Sequence, residues 1–141
     1  MKDTFFTFSP IFLFSIYNLK NIKEEKKMLR KGQIVWAKLD GIGSEQKGIR
    51  PCIVVQNNTG NRFGQTTIVV PLTSKNPKKL LPTHLLIRSS ETNYVLKDSI
   101  ALTEQIKIID KSRITQKKSI LPKEVLEQLD RKLLKSLGIA S

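Results

Sequence analysis

The side chains that could do chemistry in this chain are concentrated in three polar and cationic segments. These segments are GSEQKGIRP at residues 43–51, QNNTGNRFG at residues 56–64 and LTSKNPKKLLPTH at residues 72–84. Lysine and arginine bind phosphate oxygens, whereas serine, asparagine and glutamine can read the base edges of unpaired nucleotides. The composition of the three segments is therefore suited to a nucleic-acid ligand.

The counts of other reactive groups exclude several kinds of site. The chain has one cysteine, Cys52, and one histidine, His84. One cysteine rules out an intrachain disulfide framework and a multi-cysteine zinc site. One histidine rules out a nuclease that uses two imidazoles as its acid and its base. Glycine-rich phosphate loops and the Gly-x-Ser-x-Gly turn are absent, so we expect neither a metal nor a cofactor.

The net charge points to a polyanionic partner. The 141 residues include 25 Lys and Arg against 12 Asp and Glu, a formal charge of +13. The surplus lies in the body of the chain, because residues 29–141 hold 20 basic and nine acidic residues. A domain this basic attracts nucleic acids by releasing condensed counterions. Ribosomal and membrane-surface proteins are also basic, so charge alone does not identify the ligand.

The first 28 residues differ from the rest. The segment TFFTFSPIFLFSIY, residues 4–17, is apolar but shorter than the roughly 20 residues that span a bilayer. A charged stretch follows it, and a new composition begins at Met28. We interpret residues 1–28 as a disordered extension or a misassigned start, with the folded domain over residues 29–141. An interfacial membrane anchor and a secretion signal are the alternatives.

Short apolar runs with turn signals between them predict a small β-rich domain. Strands are predicted at residues 33–39, 51–56, 66–73, 83–88, 99–102 and 107–109. The run at 51–56 is typical of a central strand, and Pro71 favours an edge or a bulge. Leucines and one valine recur at helical spacing between Pro122 and Leu137, which predicts a terminal helix packed on the sheet. The expected fold class is α+β, a small SH3-like β-barrel or strongly curved antiparallel sheet with a C-terminal helix.

Several motifs occur in the order that is typical of one known family. They are Arg30-Lys31-Gly32 before a strand, Gly43 to Pro51, Gln56-Asn57 with Gly60-Asn61-Arg62-Phe63, Thr73 at a strand end, Leu81 to His84, Glu104-Gln105-Ile106 and Ile109-Asp110-Lys111. In this series, from about residue 29 to 137, the chain resembles the MazF/PemK toxins. The resemblance does not cover residues 1–28.

The resemblance implies a toxin of a toxin–antitoxin system that acts as a cytoplasmic endoribonuclease. Such enzymes cut single-stranded mRNA at short sequence motifs without a metal or cofactor, and leave a 2′,3′-cyclic phosphate and a 5′-hydroxyl. They work as homodimers, and their partner is an acidic antitoxin. The cut motif and the identity of the antitoxin are not predicted.

The resemblance also implies the catalytic residues. Arg50 matches the family's catalytic arginine, and its planar fork suits phosphate oxygens. Thr73 matches the catalytic threonine and supplies a hydroxyl donor. A guanidinium is a poor base, so Glu45 is the alternative base for the ribose 2′-hydroxyl. An equally weighted alternative for Glu45 is an ion pair that holds the surrounding loop.

A wider set of side chains is predicted to contact RNA. Its members are Ser44, Gln46, Asn57, Asn61, Arg62, Lys75, Lys78, Lys79, His84 and Gln105. For the lysines, a solvated loop is an equally good interpretation, and a lone histidine is more often packed or hydrogen-bonded. Phe63 is expected to stack a base or join the core, and Trp36 to lie in the core or a dimer interface. Cys52 is expected to be buried and unreactive.

Two other functions remain open at this point. One is a non-enzymatic inhibitor on the same barrel, like the gyrase poisons of the CcdB type, which lack the arginine–threonine site. The other is a basic SH3-like module that binds nucleic acid without cutting it. The presence of Arg50 and Thr73 favours the nuclease.

Overall fold

The fold is a curved antiparallel sheet with a helix at its C-terminal end. A computed structural model describes residues 9–75, 78–90 and 97–140. Its elements are α1 (Pro10–Lys27), β1 (Gln33–Leu39), β2 (Gly48–Val54), α2 (Asn58–Phe63), β3 (Thr66–Thr73), β4 (His84–Ile87), β5 (Ser99–Leu102), β6 (Lys107–Asp110), β7 (Ile114–Ile120) and α3 (Lys123–Ser136). Single 3-10 turns lie at Thr103–Gln105 and Lys111–Arg113.

The strand order places β2 and β3 at the centre of the sheet. Neighbours follow the path β4-β5-β3-β2-β1-β7, and β6 pairs with the Thr66 end of β3. All the pairings are antiparallel. Cys52 lies opposite Pro71, and Leu39 lies opposite Gly48. The predicted fold class, a curved sheet with a C-terminal helix, is confirmed.

Side chains on the two faces of the sheet form two buried clusters. Ile34 of β1 belongs to one cluster and Val35 to the other, because successive residues of a strand point to opposite faces. The first cluster includes Leu129 of α3, with Val125 and Leu126 packed against it. The leucine stripe of α3 therefore covers one face of the sheet, as its spacing predicts.

Cys52 lies in the second cluster and has no solvent exposure. Burial raises the pKa of its thiol to about 12. The thiolate is the reactive form of cysteine, so a thiol in this environment is inert at neutral pH. The expectation of a buried, unreactive cysteine is confirmed.

Helix α1 lies in the segment that we interpret as a disordered extension or a misassigned start, and that interpretation stays a prediction. It begins with Pro10 as its first residue, and Ser9 caps it, since the Phe12 amide donates to Ser9 Oγ at 3.1 Å. Serine before proline is a strong start signal for a helix, and the sequence interpretation overlooked it. The apolar side chains from Ile11 to Leu19 are exposed. Residues 1–8 of the predicted extension lie outside the described residues.

Three further details correct the predicted elements. Residues 57–64, which lie between two predicted strands, contain α2. Strand β7 was not predicted because its sequence, ITQKKSI, is largely polar and exposed. Pro71 lies in a central strand rather than at an edge. Along β3, residues 66–69 pair with β6 and residues 72–73 pair with β5. Pro71 thus occupies the gap between two partner strands, where a missing N–H is tolerated.

Candidate active site

The connection between β1 and β2, residues 40–47, directly precedes the strand that carries Arg50. It closes tightly on itself, because the Glu45 amide donates to the Ile42 carbonyl at 3.1 Å. Gly41 packs against this turn so closely that a Cβ there would lie 2.3 Å from the Gln46 carbonyl oxygen. Gly48, with φ of 82°, then redirects the chain into β2. We call residues 43–47 the site loop.

Arg50 lies two residues into β2, beside the site loop. It is half-buried, and its Nε donates to the Lys47 carbonyl at 2.9 Å. Within the described residues its two terminal nitrogens have no hydrogen bond or ion pair. The guanidinium is therefore oriented through one nitrogen and presents the other two to a ligand.

Thr73 ends β3, the strand next to β2. The paired register of the two strands ends at Cys52 opposite Pro71, and Arg50 and Thr73 each lie two residues beyond that pair. Thr73 Oγ1 accepts a hydrogen bond from the Lys75 amide at 3.3 Å. Its hydroxyl hydrogen remains available to donate. The fold thus brings the two predicted catalytic residues to the same end of two paired strands.

Glu45 is exposed in the site loop. Its Oε2 accepts a hydrogen bond from the Ile42 amide at 3.3 Å. In the part of the chain that the structure describes, it forms no ion pair with Arg50 or with another cation. The alternative role, support of the loop, therefore takes the form of a local hydrogen bond rather than the expected ion pair. The catalytic role stays a prediction.

Gln105 joins the site loop from a distant part of the chain. Its Oε1 accepts from the Gln46 amide at 2.9 Å, and its Nε2 donates to the Ser44 carbonyl at 3.3 Å. The side chain of Ser44 is exposed, and Gln46 is half-buried. These contacts bring Ser44, Gln46 and Gln105 together and engage the amide of Gln105 with the loop backbone, while their contact with RNA stays a prediction.

His84 begins β4 and is bonded at both ring nitrogens. Nδ1 accepts from the Leu81 amide at 3.1 Å, and Nε2 lies 2.9 Å from Glu104 Oε1. This pattern assigns the ring proton to Nε2, because Nδ1 acts as an acceptor. The side chain is only 7% exposed. The ring is therefore a packed, hydrogen-bonded group rather than a free ligand for RNA.

The lysines of the segment after β3 supply exposed positive charge at the same end of the sheet as Thr73. Lys75, Lys78 and Lys79 are all exposed. Within the described residues, none of them forms an ion pair. Their placement fits either phosphate contact or a solvated loop, the two interpretations that the sequence leaves open.

Asn57, Asn61 and Arg62 lie at the opposite end of β3 from Thr73. Asn57 caps α2, and its Oδ1 accepts from the Gly60 amide at 2.8 Å. Helix α2 is tied to the start of β3, since Thr67 donates to Asn61 Oδ1 at 2.7 Å. Eight residues of strand separate the two ends by about 20 Å or more. On one protomer, these three side chains do not form a single group with Arg50.

Asn61 is also buried, with 1% of its surface exposed. Its Oδ1 accepts from Gln56 Nε2 at 3.1 Å as well as from Thr67, and its Nδ2 donates to the Gln56 carbonyl at 2.9 Å. Lys111 Nζ donates to its backbone carbonyl. The predicted base contact is therefore corrected: this amide holds α2 to the sheet and is not available to read a base.

A cleft of about 440 Å³ opens beside α2. It is lined by Met28, Leu29, Asn61, Arg62, Lys111, Ile114 and Lys117.

Phe63 at the end of α2 is 73% exposed, with the Arg62 guanidinium 5.3 Å from the centre of its ring. The core alternative for Phe63 is therefore wrong. Trp36 in β1 is half-buried, so its interface role stays a prediction.

Two residues next to Gln105, Thr103 and Glu104, were given no role in the sequence analysis. Glu104 accepts hydrogen bonds from Thr83 Oγ1 at 3.0 Å and from His84, and Thr103 is completely buried. The only sequence signal was the order Leu81 to His84 followed by Glu104-Gln105. The order of these motifs in the sequence does not reveal that Glu104 contacts Thr83 and His84.

The described residues, 9–75, 78–90 and 97–140, include neither a membrane-spanning helix nor a cluster of metal ligands. No helix there, α1 included, has the length and apolarity to cross a membrane. No three His, Cys, Asp or Glu side chains lie close enough together to hold a metal ion.

Comparison with known proteins places the chain in a family. The family model described as the PemK-like, MazF-like toxin of type II toxin–antitoxin systems matches residues 30–137. Endoribonuclease EndoA of Bacillus subtilis is 40% identical over 113 residues, which are 79% of this chain and 97% of that protein.

Solved structures share the fold. MazF from Deinococcus radiodurans has a TM-score of 0.68 at 24% identity and covers 79% of this chain and 98% of its own. A mycobacterial endoribonuclease solved with its cognate antitoxin has a TM-score of 0.62 at 18% identity, and covers 82% of this chain and 98% of its own. The chain therefore belongs to the PemK-like, MazF-like toxins of type II toxin–antitoxin systems.

Proposed function

We propose that this toxin is a metal-independent, sequence-specific endoribonuclease of the cytoplasm. Its substrate is single-stranded mRNA, and its products are a 2′,3′-cyclic phosphate and a 5′-hydroxyl. Cleavage of mRNA stops translation and growth. The 40% identity to an endoribonuclease and the arrangement around Arg50 support this proposal.

The observation that carries the proposal is the position of the Arg50 guanidinium. One nitrogen is held by the Lys47 carbonyl, and the other two are left for a ligand opposite the end of β3. Two parallel N–H donors match two oxygens of a phosphate group. Such donors act best on the phosphorane, where negative charge increases during the reaction.

The reaction that follows is an internal transfer of the phosphoryl group. The ribose 2′-oxygen loses its proton to a base and attacks phosphorus, and the bond from phosphorus to the 5′-oxygen breaks. The 5′-oxygen takes up a proton and leaves as a hydroxyl. Arg50 stabilises the equatorial oxygens, and the Thr73 hydroxyl donates to the same charge.

Replacing Glu45 by glutamine tests which group removes the 2′-proton. We expect slower cleavage and a changed pH–rate profile, because a glutamine amide cannot take up the 2′-proton. The Glu45 carboxylate is exposed, so the change should leave the fold intact. Rates from pH 5 to 9 on a short RNA measure both effects, with Glu127→Gln on α3 as the control. An unchanged profile removes Glu45 from the role of base.

The positive charge around Arg50 and the lysines after β3 supports an acidic protein partner. An antitoxin with an acidic tail would compete with RNA for Arg50, Lys75, Lys78 and Lys79, and would lose conformational entropy on binding.

We also propose a homodimer, in which the exposed Ile42 and Ile49 beside the site loop supply apolar contact area.

Incubation of the purified protein with a long single-stranded RNA in EDTA tests the proposed function. Discrete cuts with 5′-hydroxyl and cyclic phosphate ends are expected. Cuts that need added Mg²⁺ contradict metal independence. Binding without cleavage favours the non-catalytic module, and no interaction favours an inhibitor of the gyrase-poison type.

A further inference from the structure

The turn at Thr103–Gln105 joins three separate parts of the fold through three consecutive side chains. Thr103 contacts α3, Glu104 contacts Thr83 and His84, and Gln105 contacts the site loop. The turn follows β5 directly, and Ile100 of β5 pairs with Thr73. We call Thr103–Gln105 the brace turn.

Gln105 connects the brace turn to the site loop. It accepts from the Gln46 amide at 2.9 Å and donates to the Ser44 carbonyl at 3.3 Å. Within the described residues, these are the only hydrogen bonds from a side chain outside the loop to residues 43–46. One side chain therefore holds the loop at two points, one on each side of Glu45.

Thr103 and Glu104 hold the brace turn to the rest of the fold through hydrogen bonds. Thr103 Oγ1 lies 2.6 Å from the Thr83 carbonyl and 2.6 Å from Ser136 Oγ of α3, and the residue is completely buried. Glu104 adds bonds to Thr83 Oγ1 at 3.0 Å and to His84 at 2.9 Å. A side chain extended from this anchor can hold the site loop in place.

The site loop needs such a support. It contains Gly43 with φ of 62° and is followed by Gly48 with φ of 82°. Glycines give a backbone many accessible conformations, so an unsupported loop of this kind loses considerable entropy when it is ordered on RNA. Catalysis depends on groups that are already in position before the transition state forms.

We propose that Gln105 is a positioning residue that pre-orders the site loop, rather than a residue that reads a base. It acts through the backbone of Ser44 and Gln46, which fixes Glu45 and the neighbouring Lys47 carbonyl that orients Arg50. Only the effect on cleavage rests on the proposed function. The effect on the loop can be measured without RNA.

The test uses Gln105→Met, which keeps the length of the side chain and removes both hydrogen bonds. Amide hydrogen exchange is measured on the full-length protein without RNA. Loss of one net hydrogen bond corresponds to about fivefold to tenfold faster exchange of the Gln46 amide. Gln128→Met on α3, where the glutamine is exposed, is the matched control and should leave Gln46 unchanged.

A second variant separates the two bonds and covers the case in which Gln105→Met does not fold. Gln105→Glu keeps the acceptor for the Gln46 amide and loses the donor to Ser44. Gln46 should stay protected in Gln105→Glu. Exchange at Gln46 that is faster in Gln105→Glu as well contradicts the assigned contact.

Cleavage kinetics on the same variants complete the test. A positioning role predicts a lower kcat, a nearly unchanged KM and the same cut sequence for Gln105→Met. Unchanged exchange at Gln46 in Gln105→Met, or an altered cut sequence at unchanged kcat in that variant, overturns the proposal in favour of base reading. If the wild-type protein cuts no RNA, the proposed function fails while the exchange result still decides the role of Gln105.

Discussion

Arg50→Ala is expected to lower the rate of RNA cleavage by about a thousandfold or more, which most assays will record as complete loss. Removal of a single donor that stabilises transition-state charge typically lowers kcat by about 100- to 1000-fold. Arg50 supplies two such donors from one fork, together with a positive charge. Initial rates with a fluorescent RNA, at saturating and subsaturating concentrations, measure the effect on kcat and KM.

Two matched variants show whether the effect depends on the fork. Arg50→Lys keeps the charge but lacks the planar pair of donors, so its rate should lie between those of Arg50→Ala and the wild type. Arg131→Ala removes an exposed arginine of α3 and should cleave normally. A rate for Arg50→Ala within tenfold of the wild type would place the catalytic centre elsewhere.

Asn61→Ala should be the most destabilising of the changes considered, with about 2–4 kcal/mol lost from the free energy of unfolding. The substitution leaves the buried Thr67 hydroxyl and the Gln56 carbonyl without their partners. Each unsatisfied buried group costs about 1–3 kcal/mol. Urea unfolding followed by circular dichroism measures the change, and a lower midpoint at an unchanged slope is the expected result.

Gln65→Ala provides the control for this measurement. Gln65 is exposed in the connection from α2 to β3, and its replacement should change stability by less than about 0.5 kcal/mol. If Asn61→Ala is as stable as this control but binds RNA less tightly, then Asn61 reads a base after all and the buried network is not essential.

The sequence predicts the sheet well because its strands carry strong local signals. The bounds of β1, β3 and β5 match the predicted runs, since β-branched side chains alternate between two buried faces there. The exposed strand β7 lacks that signal. It pairs with β1 through its backbone, which any sequence without proline can do.

The sequence predicts which kinds of side chain occur near the site better than it predicts what each of them does. Arg50 and Thr73 are distant in the chain, and the pairing of β2 with β3 carries them to the same end of the two strands. Asn61, His84 and Gln105 have the same polar side chains that bind RNA in other settings. Their burial and their hydrogen-bond partners, which depend on long-range contacts, give Asn61 and His84 structural roles and engage Gln105 with the site loop.

The buried Cys52 thiol has a practical consequence for spectroscopy. With a pKa of about 12 and no solvent exposure, it should not react with maleimide dyes while the protein is folded. A cysteine introduced on the surface, for example at Lys79, would then be the single labelled position without any background mutation. A dye there could report, molecule by molecule, when RNA or an acidic peptide arrives beside Arg50.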